Sequence, residues 1–416
     1  MMKKMAYLSV LTSLISASVI SLDLGVFQLS IFRVIIILMV FAMIVRMLKT
    51  NEKVSLKENS ENRYSISVML IWLVYSVMTL GWVKDYGGWF KAVYFIALGF
   101  MCIIIFSKIF KKSDDILTCF RILSVMIIIH NIIGWYEIST GNYMFMTAER
   151  SLKFARYNNP VSIFYNTNDF ATFLFMSIFI TYVCAVNSKK VIGKCVFIGT
   201  MISSTYLLIM TGSRANILGI ILAFIVFVYL SMRNKRGRRT ILIILISLFG
   251  FILLMPIALN NLFLLINQNL YFRFSADVSS DVARINLIKN GFTFLINTFG
   301  FGTGAGNIEY WMDNYGTYNT FGLTNMHNWW MEILTGYGII VFLLYITFYI
   351  KLFQSLYRKY KISKDKIDTS ISLCIMCCLA GFTIGATSSS SNISSEWLWV
   401  FFGISIVYQG ISSKAK

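Results

Sequence analysis

Runs of about twenty apolar residues recur from one end of this chain to the other, and no other feature limits its fold as tightly. A run of that length crosses roughly 30 Å of hydrocarbon as an α-helix. Lipid offers no partner to an exposed backbone N–H or C=O, so each run must close its own hydrogen bonds, and the helix does that. Twelve spans are read, at 5–22, 27–48, 65–83, 90–107, 116–135, 168–186, 193–210, 215–232, 240–259, 329–350, 370–387 and 397–411. With 57% hydrophobic and 16% aromatic residues in 416, the chain is too apolar for a water-soluble fold of its size. The expectation is an all-α polytopic membrane protein, a single membrane domain over 1–416 with no visible repeat.

The formal charge of +19 does not point to nucleic acid, which calls for a basic face on a soluble domain. Here the lysines and arginines sit in short loops. Alternate loops hold 26 of them and the opposite loops 9. By the positive-inside rule this places both termini in the cytoplasm of a multi-pass plasma-membrane protein. The run Arg233-Asn234-Lys235-Arg236-Gly237-Arg238-Arg239 serves topology, with attraction to anionic headgroups as a by-product. Lys3 and Lys4 before an apolar run resemble a signal peptide, but a second span follows at once, which favours an uncleaved first span. All seven cysteines fall in apolar spans, so no disulfide is expected. Cys374, Cys377 and Cys378 read as packing residues more simply than as a metal site.

Two outer segments exceed turn length, 136–167 and the large loop 260–328. The large loop carries Arg273, Arg284 and Lys289 and closes on His327, one of two histidines. Ile285, Ile288, Phe292, Leu295 and Phe299 are spaced 3, 4, 3, 4, which lays one apolar stripe along a helix. Asp281 stands where an N-cap belongs and Gly300 opens a glycine-rich stop. The helix would rest on the outer membrane surface with Arg284 at headgroup level, although a helix that only covers the bundle accounts for the stripe equally well. Gly300, Gly302, Gly304 and Gly306 do not make a nucleotide loop, because no strand precedes them and no Lys-Ser/Thr follows. Asp277 and Asp281 could hold a divalent ion, yet capping explains Asp281 more simply, and neither metal nor cofactor is expected.

Three islands then fall on the outer face: Thr211-Gly212-Ser213-Arg214-Ala215; Arg284 through Gly304; and His327-Asn328 followed by Glu332 and Gly336-Tyr337-Gly338. Together with Asn166-Thr167-Asn168-Asp169-Phe170-Ala171, and over roughly residues 160–345, they resemble the O-antigen ligase and polymerase superfamily. The first third of the chain matches only in general hydropathy. The resemblance implies an enzyme joining sugars carried on polyprenyl diphosphate outside the plasma membrane, with lipid-linked donor and acceptor as partners, and with a chain-length regulator and a flippase as candidate protein partners.

Such a transfer needs a base near the acceptor hydroxyl and positive charge near the leaving diphosphate. His327 is the candidate base, and Arg214 and Arg284 are the candidate diphosphate ligands, since a guanidinium offers forked donors to phosphate oxygens. A diphosphate leaves without a general acid, and one displacement at carbon 1 inverts the linkage. Asn328, Glu332, Asn168, Asp169, Lys91, Arg150 and Arg273 are supporting or substrate-binding candidates; the cations among them read equally as solvated or lipid-facing charges. An interfacial histidine and a snorkelling Arg214 are the plain alternatives. His130, beside Asn131 inside a span, reads as structural. The expected function is polymerisation of lipid-linked repeat units into capsule, O-antigen or exopolysaccharide. The alternatives are a ligase that moves finished polymer to a lipid core or wall acceptor, and a flippase. A flippase calls for ionisable groups at mid-membrane, for which Arg33 is the best candidate.

Overall fold

Among the described residues, most of the apolar runs are helices. The computed structural model describes residues 1–15, 19–23, 28–50, 60–147, 154–155, 158–164, 166–232, 278–389 and 392–411. Its helices, in chain order, are α1 (Met2–Thr12), α2 (Ile31–Thr50), α3 (Ser60–Met78), α4 (Tyr86–Ile109), α5 (Ser113–Thr140), α6 (Thr167–Val186), α7 (Val191–Met210), α8 (Arg214–Ser231), α9 (Val278–Asn297), α10 (Ile308–Tyr315), α11 (Trp329–Ile362), α12 (Lys366–Gly385) and α13 (Glu396–Gly410). Among the described residues nine of these are long and apolar enough to cross a membrane. The chain is therefore an all-α polytopic membrane protein. The expected span 240–259 lies outside the described residues.

Two runs depart from their expected form. The first, 5–22, is helical only as far as Thr12, and the chain then pairs strands β1 (Ser21–Asp23) and β2 (Gln28–Ser30) antiparallel. Ser9, Thr12 and Ser13 hydroxyls each donate to a carbonyl three or four residues back. The second departure is α11, whose 34 residues outrun the expected 329–350 and include a break at Gly338 (φ 78°, ψ 176°).

Where one membrane domain was expected over 1–416, the helices cluster into two compact units. The first comprises Met1–Leu123, Val278–Asp365 and Ser390–Lys416; the second comprises Ser124–Asp277 and Lys366–Ser389.

In the first unit the fully buried Trp72 on α3 is the hub. Its ring meets Trp329, Tyr337, Tyr345 and Trp399 at centroid distances of 5.4–6.0 Å, so α3, α11 and α13 lock together two residues beyond His327. Arg33 is the third residue of α2, at its end, where its Nε donates to Glu396 Oε1 at 2.6 Å and its guanidinium lies over Phe95. In the second unit Gly219 on α8 meets Gly381 and Gly385 on α12 so closely that a Cβ would strike the facing backbone, the small-residue contact by which membrane helices approach.

Contacts inside the first unit join segments that the charge count assigns to one side. Lys3 pairs with Asp115 and Lys359 bonds the Tyr408 and Ile411 carbonyls on the expected cytoplasmic side. Asn307 bonds the 84–85 backbone on the expected outer side. The cysteines are all free thiols inside helices, as placed from sequence.

Candidate active site

His327 is held by its neighbours in chain order. Asn328 is the N-cap of α11, and its side-chain oxygen accepts from the Trp330 and Met331 N–H groups, which fixes where the helix starts. The preceding residue must then turn sharply, and His327 does so at φ 46°, a left-handed conformation that costs a non-glycine residue about 1–3 kcal/mol. Asn325 anchors the turn: its Oδ1 accepts the His327 N–H at 3.0 Å. The ring is partly buried, and its Nδ1 is buried without a hydrogen-bond partner. Burial, and next the positive charge of Arg284, push the imidazole pKa below 6.5. The structure thus brings His327 and Arg284 together, and each makes the neutral imidazole the resting form.

Arg284 is positioned by α9. This helix begins at Val278, three residues before the expected cap Asp281, whose side chain lies outside the described residues. It ends as expected, with Gly300 in a left-handed turn donating to the Leu295 carbonyl. Of the expected stripe, Ile285, Phe292 and Phe299 lie at the surface. The packing centres on a second face: Leu287 and Phe294 are buried with Met326, Met331 and Leu334, and with Ile308 and Met312 of α10, and Ile288 and Leu295 of the stripe pack against them. Each such side chain contributes about 1.5–3 kcal/mol by leaving water. Arg284 stands on the turn before Leu287, so the same core that seats α9 carries the guanidinium to the histidine.

The glycine run supports the broken helix. At Gly338 the ladder of α11 is interrupted, and the Thr335 and Gly336 carbonyls accept instead from the Thr303 and Gly304 N–H groups at 2.8 and 3.0 Å. Gly302 must lack a side chain here, since a Cβ would lie 2.6 Å from the Gly338 nitrogen. Non-helical backbone at a span's end is satisfied by protein, as the membrane requires.

Arg214 belongs to the other unit. It is exposed at the first turn of α8, after the Thr211–Ser213 turn. That turn rests on a polar network. Asn168 Oδ1 accepts from Ser213 Oγ at 2.7 Å, and buried Asn216 donates to the Asn168 carbonyl and to Ser213 Oγ. Asn166, not Asn168, caps α6. Asn168 is thus a support for the Arg214 turn, with Asp169 beside it in the first turn of α6. Glu332 sits in the first turn of α11, and the bare Nδ1 means that no carboxylate bonds His327 through that nitrogen. Lys91 is exposed on α4; Arg150 and Arg273 lie outside the described residues.

Several contributors were missed from sequence. Asn290, fully buried, donates to the Tyr318 carbonyl and accepts from the Thr317 and Tyr318 N–H groups, while Asn286 donates to the Asn319 carbonyl. Their i, i+4 spacing on α9 was the available signal. In the second unit Glu137 accepts from the Val161 and Ser162 N–H groups, and His130 Nδ1 bonds Ser162 Oγ at 3.0 Å.

Residues 199–346 match the O-antigen ligase family, a stretch containing Arg214, Arg284 and His327. Over 412 residues the chain is 26% identical to the teichuronic acid biosynthesis protein TuaE of Bacillus subtilis (strain 168), covering 99% of this chain and 84% of that protein. The segment that carries the candidate site is thus similar to the O-antigen ligase family, and the chain as a whole is similar to a protein of teichuronic acid biosynthesis.

Proposed function

We propose that the protein is an inverting, metal-independent glycosyltransferase that polymerises polyprenyl-diphosphate-linked oligosaccharide repeats on the outer face of the plasma membrane. The observation that carries this reading is the placement of His327, turned out of the start of α11 by Asn325 and Asn328 with its Nδ1 buried; burial and then Arg284 lower its pKa, which favours the neutral imidazole. A neutral imidazole takes the proton of the acceptor hydroxyl as its oxygen attacks carbon 1 of the donor sugar, and the C–O bond to the diphosphate breaks with its electron pair leaving on phosphate oxygen. With Nδ1 buried, the hydroxyl approaches Nε2. Arg284, in the same unit as His327, is assigned to the diphosphate, where charge accumulates as the bond breaks; for Arg214 that role is what the sequence resemblance alone implies. A chain-length regulator and a flippase are the protein partners assigned to this step.

The same base and clamp serve a ligase, and the family's name favours that second reading. Product size separates them. Purified protein in liposomes, given only a lipid-linked repeat unit, is expected to yield a ladder of lipid-linked oligomers; a single transfer that requires an added non-polyprenyl acceptor would establish the ligase. The outer placement has its own test. In a version without native cysteines, Thr317→Cys is expected to react with a membrane-impermeant maleimide in intact cells and Lys364→Cys to react only after lysis. Both positions are exposed in the first unit, so reversed labelling refutes the sidedness and with it the reaction.

A further inference from the structure

The turn after α10 displays aromatic rings to water on a backbone that is held unusually firmly. Tyr315, Tyr318 and Phe321 are 48%, 44% and 57% exposed. The chain beneath them is pinned at Thr317 and Tyr318 by buried Asn290, at Asn319 by Asn286, and at Phe321 by the Asn319 side chain at 2.9 Å. Tyr315 lies against Trp311 at 5.0 Å between centroids, and Lys289 Nζ covers the Tyr318 ring at 5.2 Å. Fixing exposed rings in place lowers the entropy lost when a ligand meets them.

The turn is also tied to the candidate base. Met326, the residue before His327, packs with Ile308 and Met312 of α10. Asn325, whose Oδ1 accepts the His327 N–H, donates from Nδ2 to Glu309 Oε1 at 3.3 Å. Glu309 and Asp313 lie one turn apart on the exposed side of α10.

We propose that Tyr315 and Tyr318 form a stacking platform for the acceptor saccharide, whose hydroxyl His327 deprotonates. A pyranose presents C–H groups on one face and hydroxyls around its rim. An aromatic face receives the first, and carboxylates such as Glu309 and Asp313 accept from the second. Tyrosine at the outer face also fits an interfacial aromatic belt, which would hold the loop against headgroups and bind no sugar. The firm backbone and the link to His327 favour the saccharide.

This inference rests on the glycosyltransferase reading, and its test separates the two. Elongation in liposomes is measured against acceptor concentration for wild type and for Tyr315 and Tyr318 changed to Ala, Leu and Phe. Each Ala or Leu variant is expected to raise the acceptor KM about tenfold with kcat within a few fold, and Phe to restore it, because the ring and not apolar bulk is required. In parallel, the His327→Ala chain in nanodiscs is titrated with lipid-free oligosaccharide released from the producing cell's own polymer; binding is expected, and is expected to be lost in Tyr315→Leu/Tyr318→Leu. Wild-type KM in the Ala variants, recovery by Leu, or no oligosaccharide binding by the His327→Ala chain would overturn the platform. Failure of the wild type to elongate would overturn the polymerase reading instead.

Discussion

His327→Ala is expected to leave expression and membrane insertion near normal while slowing chain elongation by about 10² to 10⁴, so that single repeats accumulate on the lipid. Positioned proton transfer is worth that much, whereas truncating a partly buried side chain that makes no ring hydrogen bond through Nδ1 removes little folding energy. His130→Ala is the control. Its ring bonds Ser162 and packs edge-on to Phe173 at 5.3 Å, so its loss should lower thermal stability and leave the rate per folded molecule unchanged.

Arg284→Lys is expected to lower elongation at least about tenfold in normally inserted protein. A guanidinium grips two phosphate oxygens in a fixed fork, where an ammonium makes one point contact and is more strongly hydrated. Arg284→Ala carries a second signature in pH. Burial first, and then Arg284, disfavour the imidazolium of His327, so its pKa in the folded protein lies below the ordinary 6.5. Activity that needs the neutral ring is therefore full above that range and lost as pH falls through the lowered pKa. Removing the cation leaves burial in place, so the midpoint of the residual activity should move up towards 6.5 without reaching it. An unmoved midpoint would mean that Arg284 does not act on the ring.

The helices were legible because a bilayer leaves the backbone no alternative. The runs that became α2 to α8 and α11 to α13 needed only length and apolarity to be found. The early end of α1 at Thr12 was not legible, because hydropathy carries no signal for where within an apolar run a helix stops. The break in α11 was visible as Gly336-Tyr337-Gly338 but unreadable, since its partners, the Thr303 and Gly304 N–H groups, stand over thirty residues earlier.

In the site, residue types that can do one kind of chemistry were easy to pick and residues that position them were not. His327 and Arg284 stood out because few side chains titrate near neutrality or fork onto phosphate. Asn328 and Asn168 were chosen for resemblance, and the structure gives them the work of holding a helix start and the Arg214 turn. Asn290 escaped notice because an asparagine on a helix face is read as solvated, whereas here it replaces water for the backbone of a distant turn. The stripe on α9 divides: Ile288 and Leu295 pack against the cluster of Leu287, Phe294, Met326 and Met331, while Ile285, Phe292 and Phe299 stay exposed, and only those neighbours, distant in sequence, decide which is which.

The central claim is that a neutral His327 takes the acceptor's proton at the outer face. Its most direct test is the initial rate of elongation in liposomes from pH 5 to 8, with wild type and His327→Ala measured side by side at saturating lipid-linked repeat. The account requires a wild-type rate that is level above neutrality and falls with a one-proton slope at a midpoint below 6.5, over a low residual His327→Ala rate that lacks this step. A wild-type rate independent of pH, or a His327→Ala enzyme that elongates at full rate with the same profile, would contradict it.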